Sequence, residues 1–168
     1  MDVHQTLPEN LPALLEGRFE GRAEFGALIR QAFATAASQG WREIIMCDNN
    51  FEDWPLGERV VMQTLNDWSK TGRKLTVLAQ NYDEITRRHA RFVTWRRTWT
   101  HIVDCRRCAA GDLPSALWSA GWVFERLDIV RSTGVACAGS ARRVALKERL
   151  EEKLLRSTPS FAATTLGL

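Results

Sequence analysis

The feature that most constrains this chain is a pair of short hydrophobic segments separated by an amphipathic one. Residues 42–47 (R-E-I-I-M-C) and 74–79 (K-L-T-V-L-A) are nearly continuous apolar runs, which are typical of strands buried on both faces. Residues 56–70, which lie between them, place apolar side chains at helical spacing. A helix between two buried strands predicts a βαβ unit with a right-handed crossover. We therefore expect parallel strands at the centre of the fold.

The same alternation extends to both sides of this unit. Residues 23–38 carry apolar side chains at three- and four-residue steps, which predicts a helix, and Gly40 suits its C-terminal cap. Residues 83–95 predict a third helix with His89 on its buried face, as a core histidine. Residues 100–105 predict a third, shorter strand. This part of the chain thus alternates helix and strand.

The periodicity changes after the third predicted strand. Residues 113–120 predict a short helix, residues 122–130 a strand, and residues 135–138 a return strand after a turn. A strong helix then runs from Ser140, which is expected to cap it, and ends at Pro159. The second half therefore predicts an antiparallel hairpin followed by a helix.

A chain of 168 residues suits one domain that is large enough to bury a core without disulfides or metals. We predict an N-terminal arm over residues 1–22, a domain over residues 23–158 and a C-terminal tail over residues 159–168. The expected fold is a single α/β domain with a mixed, mainly parallel sheet flanked by helices.

Composition excludes several classes of protein. The net charge of +3 is too weak to imply nucleic acid or an anionic membrane by itself. The N-terminus has no charged-then-apolar signal pattern, and no apolar run approaches about 18 residues, so we expect a cytoplasmic protein without a membrane partner. Four cysteines in such a protein are expected to be reduced thiols.

Acids and amides follow the first two predicted strands. Asp48 and Asn49 come directly after one, and Asn81 comes shortly after the next. The ends of parallel strands form the rim where ligands bind in open α/β folds, so these three side chains are a candidate rim. Asp48 and Asn49, with Glu52 and Asp53, also have the oxygen ligands that a hard cation takes. The more ordinary use of such residues is to form turns and cap helices, and no metal site is predicted.

An arginine-rich stretch over residues 87–107 is the densest candidate for phosphate or nucleic-acid binding. Guanidinium groups bind phosphate oxygens in a forked geometry, and aromatic rings between them can stack on bases. The candidate phosphate-binding residues are Arg87, Arg88, Arg91, Arg96 and Arg97. The alternative is a solvated helix face whose arginine stems cover tryptophan rings.

A Cys-x-x-Cys pair, Cys105 and Cys108, permits a thiol-based redox site or a zinc site. Neighbouring arginines would favour the reactive thiolate. For zinc, His101 would be the third ligand, and Cys137 or Asp104 would have to be the fourth. The alternative places Cys105 in a packed strand and Cys108 in the loop that follows.

The C-terminal order of strand, turn, short strand and helix resembles the second part of phospholipase D-like domains, as found in small bacterial proteins. In that family a His-x-Lys-x4-Asp strand leads through a turn to a Gly-Ser-x-Asn segment that opens a helix. Residues 139–142 (G-S-A-R) resemble that segment, and the likeness extends loosely over residues 23–156. The family spacing places Glu125 at the His position, Leu127 at the Lys, Ser132 at the Asp and Arg142 at the Asn.

All four substitutions remove the chemistry of that family. Phosphodiester transfer needs an imidazole nucleophile and a cationic group that stabilises the phosphoryl oxygens. Leu127 cannot donate to an oxyanion, and the Glu125 carboxylate would repel a phosphate. The resemblance therefore implies a module without catalytic residues or cofactors that binds or regulates. It also implies a homodimer, because that fold usually pairs two such domains and exposed tryptophans would suit the interface.

Overall fold

One eight-stranded sheet forms the centre of the protein in the computed structural model, which describes residues 11–162. The strands are β1 (Gly17–Glu20), β2 (Glu43–Cys47), β3 (Lys74–Ala79), β4 (Val103–Arg107), β5 (Ser115–Ser119), β6 (Val123–Asp128), β7 (Thr133–Cys137) and β8 (Thr158–Pro159). The helices are α1 (Gly21–Gln39), α2 (Arg59–Ser69), α3 (Asp83–Arg88), α4 (Ala90–Thr98) and α5 (Ser140–Leu155).

The sheet has the strand order β1-β7-β6-β5-β2-β3-β4-β8. Only β2–β3 and β3–β4 pair in parallel, while the other five pairings are antiparallel. The prediction of a single α/β domain with a mixed sheet and flanking helices is confirmed, but the prediction of a mainly parallel sheet is wrong. The βαβ unit supplies only the parallel part, and hairpins complete the sheet.

Strand β5 accounts for much of this difference, because residues 113–120 were predicted to be helical. The strand lies between β2 and β6, and both of these pairings are antiparallel. All five of its residues are buried. Small and apolar side chains in a short run fit a strand covered on both faces as well as a short helix, so periodicity alone does not separate the two.

Helices cover both faces of the sheet. Helices α1 to α4 pack on one face, where they form a core that includes Phe25, Phe33, Trp54, Trp68 and Phe92. Helix α5 packs on the other face over a smaller core through Leu146 and Leu150. Gly40 ends α1 in the left-handed conformation (φ 65°), as predicted, and its N–H donates to the carbonyl of Ala36.

The predicted helix over residues 83–95 is two helices. Helix α3 ends at Arg88 and α4 begins at Ala90, with His89 in a non-helical conformation between them. His89 is buried, as predicted, and its Nε2 lies 2.9 Å from the carbonyl oxygen of Phe51. This contact ties the junction of the two helices to the loop after β2.

The ends of the described region join the sheet. Strand β1 lies within the predicted N-terminal arm and pairs with β7, and β8 pairs with β4. Phe161 stacks on Tyr82 with ring centroids 4.8 Å apart, so the start of the predicted tail packs against the domain. Residues 1–10 of the arm and 163–168 of the tail lie outside the described residues. Helix α5 starts at Ser140, but its cap position is Gly139, without a side-chain cap.

None of the helices within residues 11–162 has both the length and the hydrophobicity needed to cross a bilayer.

Candidate functional site

A buried cluster of charges lies where β2 ends. Arg126 on β6 is 4% exposed and Asp48, directly after β2, is also 4% exposed. The Nη2 of Arg126 lies 3.2 Å from Oδ1 of Asp48, and its Nη1 lies 3.0 Å from Oδ2 of Asp53. One buried guanidinium therefore pairs with two carboxylates, and Asp53, which is partly exposed, also lies 3.5 Å from the Nη2 of Arg22.

Two hydroxyls complete the surroundings of the Arg126 guanidinium. Its Nε donates to Ser115 Oγ at 3.1 Å, and its Nη1 donates to Ser132 Oγ at 3.2 Å. The guanidinium also lies over the Phe25 ring, 4.2 Å from the centroid. Such a group is costly to bury unless its donors are paired. Arg126 therefore joins β5, β6 and the loops after β2 and β6 into one unit.

The candidate rim residues are used to hold loops. Asp48 Oδ2 accepts the backbone N–H groups of Asn50 at 3.2 Å and Phe51 at 2.8 Å. Asn49 Oδ1 accepts from the Leu113 N–H at 2.8 Å, and Asn81 Oδ1 accepts from the Asp83 N–H at 3.1 Å. These are turn and loop contacts, which belong to the ordinary alternative, although none of them caps a helix.

The carboxylates after β2 are occupied by an arginine. Arg126 lies where a cation bound by Asp48 and Asp53 would have to be. Across residues 11–162, no group of three or more His, Cys, Asp or Glu side chains is arranged to hold a metal ion.

Glu125 and Leu127 lie on the face of β6 opposite Arg126, in a groove of about 390 Å³ beside α5. Arg149 of α5 holds Glu125 at two points, with Nη1 2.9 Å from Oε1 and Nη2 2.7 Å from Oε2. The hydrogen bond to Glu125 raises the pKa of the Arg149 guanidinium. Leu127 is 63% exposed at the mouth of the hairpin. The groove therefore contains a closed ion pair and an apolar side chain.

The four positions taken from the family spacing do not meet. Ser132 lies with Arg126 on the opposite side of the sheet from Glu125 and is 1% exposed. Arg142 is exposed in the first turn of α5. Only Glu125 and Leu127 share a groove. Sequence reasoning missed Arg149, which pairs with Glu125 in that groove, although a glutamate within an apolar strand implies a nearby cation.

Most of the candidate phosphate-binding arginines already have partners. Arg87 pairs with Glu84 at 3.1 Å, and Arg88 pairs with Glu84 at 2.8 Å and with Glu52 at 3.4 Å. Arg91 donates Nη1 to the carbonyl of Gly57 at 2.8 Å. These three side chains lie on a surface in which positive and negative charges alternate.

Arg96 and Arg97 differ from each other although they are adjacent. Arg96 is 7% exposed, and it donates to the carbonyl oxygens of Phe161 at 3.2 Å and Val103 at 3.3 Å. Arg97 is exposed. The break at His89 also separates α3 from α4, so the five arginines do not form one stripe on one helix.

The Cys-x-x-Cys pair is divided between the two cores. Cys105 faces the core on the α1 side and Cys108 faces the core on the α5 side, and both are buried. Burial raises the pKa of the Cys105 thiol to about 12 and that of Cys47 well above its ordinary value. This arrangement matches the packed-strand alternative and disfavours a thiolate.

The tryptophans are occupied in packing. Trp54, Trp68, Trp95, Trp118 and Trp122 are buried, and Trp41 and Trp99 are half-buried. Within residues 11–162, the exposed large apolar side chains are Val60, Leu127, Ile129, Val130, Val144 and Leu155. The expectation that exposed tryptophans supply an interface is therefore wrong.

A second groove, of about 720 Å³, lies between α2 and α4. Arg59, Gln63 and Asn66 line it from α2, and Arg91, Thr94 and Thr98 line it from α4. Sequence reasoning missed this groove because it depends on how two helices lie side by side. One of its lining residues, Arg91, was a candidate in the sequence, but as part of the arginine-rich stretch over residues 87–107.

Solved structures of other proteins share this fold, and TrmBL2 and Nuc are among them. TrmBL2, an archaeal chromatin protein with a novel mode of DNA binding, matches with a TM-score of 0.67 and 15% identity over 93% of this chain. This chain spans only 58% of the TrmBL2 chain. Nuc from Salmonella typhimurium, a phospholipase D family member, matches with a TM-score of 0.59 and 11% identity over 85% of this chain and 97% of its own.

No protein-family model matches the sequence, and no curated protein matches it. At 15% and 11% identity, the two structural matches establish the fold alone. The resemblance to phospholipase D-like domains is thus confirmed at the level of the fold.

Proposed function

We propose that this protein is a binding or regulatory module with a phospholipase D-like fold and without phosphodiesterase activity. The observation that carries the proposal is the two-point ion pair between Glu125 and Arg149, at distances of 2.9 and 2.7 Å. The family resemblance assigns the imidazole nucleophile to the position of Glu125. A carboxylate that is already paired there neither attacks phosphorus nor attracts a phosphate.

The other positions support the same proposal. Leu127 has no donor for a phosphoryl oxygen, although transfer depends on such stabilisation. The Ser132 hydroxyl accepts a hydrogen bond from Arg126, on the other face of the sheet from Glu125. The groove beside α5 therefore lacks the groups that a phosphodiester needs in order to react, and its proposed role is to bind a ligand.

A direct test is hydrolysis of a model phosphodiester, bis(p-nitrophenyl) phosphate, by the purified protein. We expect release of nitrophenol at the rate of buffer alone. Turnover that disappears in Glu125→Ala, and persists in the matched surface variant Glu148→Ala on α5, would overturn the proposal. Circular dichroism of both variants would show that they remain folded.

A second candidate function is nucleic-acid binding through the arginine-rich stretch over residues 87–107. It is favoured by the fold shared with TrmBL2, whose DNA binding is described for that protein. Arg97 is exposed, and the ion pairs of Arg87 and Arg88 lie on the surface, where a phosphate can compete for them.

Salt dependence shows whether phosphate contacts carry this binding, and a matched triple variant shows whether this stretch makes them. We expect binding of a short DNA duplex to weaken as salt rises, and to weaken further when Arg87, Arg88 and Arg91 are changed to Ala. The matched control changes three exposed arginines elsewhere, Arg42, Arg131 and Arg142, to Ala with the same loss of charge. Equal weakening by both triple variants would reject a specific role for this stretch.

The homodimer remains a prediction. Since the tryptophans are not exposed, we place its candidate interface at the tip of the β6–β7 hairpin. Ile129 and Val130 are 47% and 93% exposed next to Leu127. Light scattering should give twice the 19.1 kDa mass of the chain if the prediction is right. The variant Val130→Asp should then shift the mass towards the monomer, because it places a charge in the proposed contact.

A further inference from the structure

The groove between α2 and α4 has a chemistry that neither the family resemblance nor the shared fold explains. Its walls are two helices that both begin at the edge where β2 and β3 end, because each belongs to a crossover between parallel strands. The lining of α2 runs from Arg59 to Asp67, which is about 12 Å along the helix axis. The volume of about 720 Å³ lies within the range of small-molecule sites, about 300–1,000 Å³.

One end of this groove is positive. Arg59 is the first residue of α2 and is exposed, and Arg91 is the second residue of α4. Arg91 is held by its Nη1 contact to the Gly57 carbonyl at 2.8 Å, which leaves its Nε and Nη2 donors for a ligand. The ion pairs formed by residues 11–162 involve neither arginine.

The backbone beside these two arginines is fixed. A Cβ added at Gly57 would lie 2.9 Å from the carbonyl oxygen of Arg88, so the loop before α2 packs directly on the junction before α4. Neither α2 nor α4 has a side-chain cap at its N-terminus. The positive ends of two helix dipoles thus reinforce the charges of Arg59 and Arg91.

The remainder of the groove offers hydrogen bonds above an apolar floor. Gln63 and Asn66 contribute amides from α2, and Thr94 and Thr98 contribute hydroxyls from α4. Asn66 Oδ1 accepts from Trp99 Nε1 at 2.8 Å, which fixes the amide and leaves its NH₂ group as a donor. Met62 and the buried Trp95 provide the floor.

The single carboxylate in the lining lies at the far end. Asp67 is on the last turn of α2, 3.5 Å from the Nζ of Lys70. The groove is therefore positive at the helix N-termini, neutral and polar along its length, and balanced at the opposite end. An anionic group has one favoured position in it, next to Arg59 and Arg91.

We propose that this groove binds a phosphorylated small molecule of nucleotide size. The phosphate would contact Arg59 and Arg91, because guanidinium groups match phosphate oxygens in forked geometry. The sugar hydroxyls and ring edges would meet the amides and hydroxyls of Gln63, Asn66 and Thr94. An apolar face of the ring would lie on Met62 and Trp95.

This inference is independent of the absence of phosphodiesterase activity. The groove lies on the face covered by α1 to α4, whereas Glu125 and Arg149 lie beside α5 on the other face. Of the five candidate phosphate-binding arginines, only Arg91 lines this groove. The test therefore has to distinguish a small phosphorylated ligand from a nucleic-acid backbone.

The experiment is titration calorimetry of the full chain with AMP, adenosine, inorganic phosphate and a single-stranded DNA 12-mer. We expect AMP to bind more tightly than adenosine or phosphate alone, and Arg59→Ala and Arg91→Ala each to weaken it at least about tenfold. The control is Arg97→Ala, which removes an exposed arginine of α4 that does not line the groove. Backbone amide shifts in NMR should change in α2 and α4.

Three results would overturn the proposal. They are an absence of AMP binding by the folded protein at millimolar concentration, AMP binding that Arg59→Ala leaves unchanged, and binding of the DNA 12-mer without binding of AMP. The last result would indicate that Arg59 and Arg91 bind nucleic acid instead. Because Arg91→Ala also removes the contact to Gly57, Thr94→Val serves as a milder variant that should weaken AMP about threefold or more without affecting the fold.

Discussion

Arg126 and Asp48 form an ion pair in the interior, 3.2 Å apart, although 78 residues separate them in the chain. Both side chains are nearly fully buried, at 2% and 5% exposure. Removing one partner of a buried ion pair leaves the other charge buried and uncompensated, which destabilises the fold. The pair therefore fixes the position of β6 relative to the end of β2.

Loss of the Arg126 guanidinium should destabilise the protein strongly. We expect Arg126→Leu to lower the free energy of unfolding by about 3–5 kcal/mol, because Asp48 would then lie buried without its cation. The free energy of unfolding is measured by urea titration with circular dichroism as the readout. Arg131→Ala, in the same hairpin but exposed, should stay within about 0.5 kcal/mol of the wild type. A loss below about 1 kcal/mol for Arg126→Leu would mean that the carboxylates find water instead.

The pair of Glu125 with Arg149 should behave differently because Arg149 is half-exposed. We expect Arg149→Met to cost about 1–2 kcal/mol, since Glu125 remains largely buried but can draw water into the groove. The double variant Glu125→Leu with Arg149→Met should recover most of that loss. Urea unfolding of both, with Arg142→Met as the exposed control on α5, is the measurement. A double variant less stable than Arg149→Met alone would contradict this account.

The cysteines should differ in reactivity towards iodoacetamide. Cys137 is half-buried, whereas Cys47, Cys105 and Cys108 are buried, and burial raises the pKa of Cys105 to about 12. Since the thiolate is the reactive form, we expect alkylation of Cys137 first at pH 7.5. All four should react in urea. Mass spectrometry of peptides identifies the sites, and preferential labelling of Cys105 or Cys108 in the folded protein would revive the thiol-based enzyme hypothesis.

The surface pair of Glu58 with Arg30 should give a small dependence of stability on pH. The hydrogen bond from Arg30 lowers the pKa of Glu58 below 4.5 in the folded protein. The stabilisation is therefore complete at neutral pH and is lost as the pH falls through the lowered pKa. We expect Glu58→Gln to cost less than about 1 kcal/mol at pH 7, and the cost to shrink as the pH falls below the ordinary range of a glutamate. A difference that grows on acidification would have the wrong sign.

Local periodicity was sufficient for the parallel part of the fold. The run of α1, β2, α2 and β3 was expected within a few residues, because each of these segments has a clear buried face. Strand β5 was predicted as a helix because its buried run is short, and its identity depends on β2 and β6, which lie on either side of it. Strand β1 was predicted to be part of the N-terminal arm, because it too depends on a pairing that local sequence does not reveal. Its partner β7 is distant in sequence.

The candidate sites were harder to predict than the fold, because they depend on contacts between residues that are distant in sequence. Asp48 and Asn49 were recognised as residues at a strand end. The partner of Asp48, Arg126, lies on a strand whose register the periodicity did not determine, and the partner of Asn49 is the N–H of Leu113. Glu125 was recognised only through the family spacing. Its pairing with Arg149 requires the packing of α5 on β6, which no spacing along one segment encodes. Pairs of this kind follow from topology rather than from local sequence.

The pairing of β1 with β7 has a consequence for synthesis of the chain. Gly17 pairs with Ala136, about 120 residues later, and Phe19 pairs with Gly134. A ribosome that adds about 5–20 residues per second needs about 6–24 s to produce that partner. During this interval the aromatic ring of Phe19, fully buried at the end, has no strand to pack on. The nascent chain therefore carries this segment without its partner strand, which leaves it open to chaperones and to faulty association.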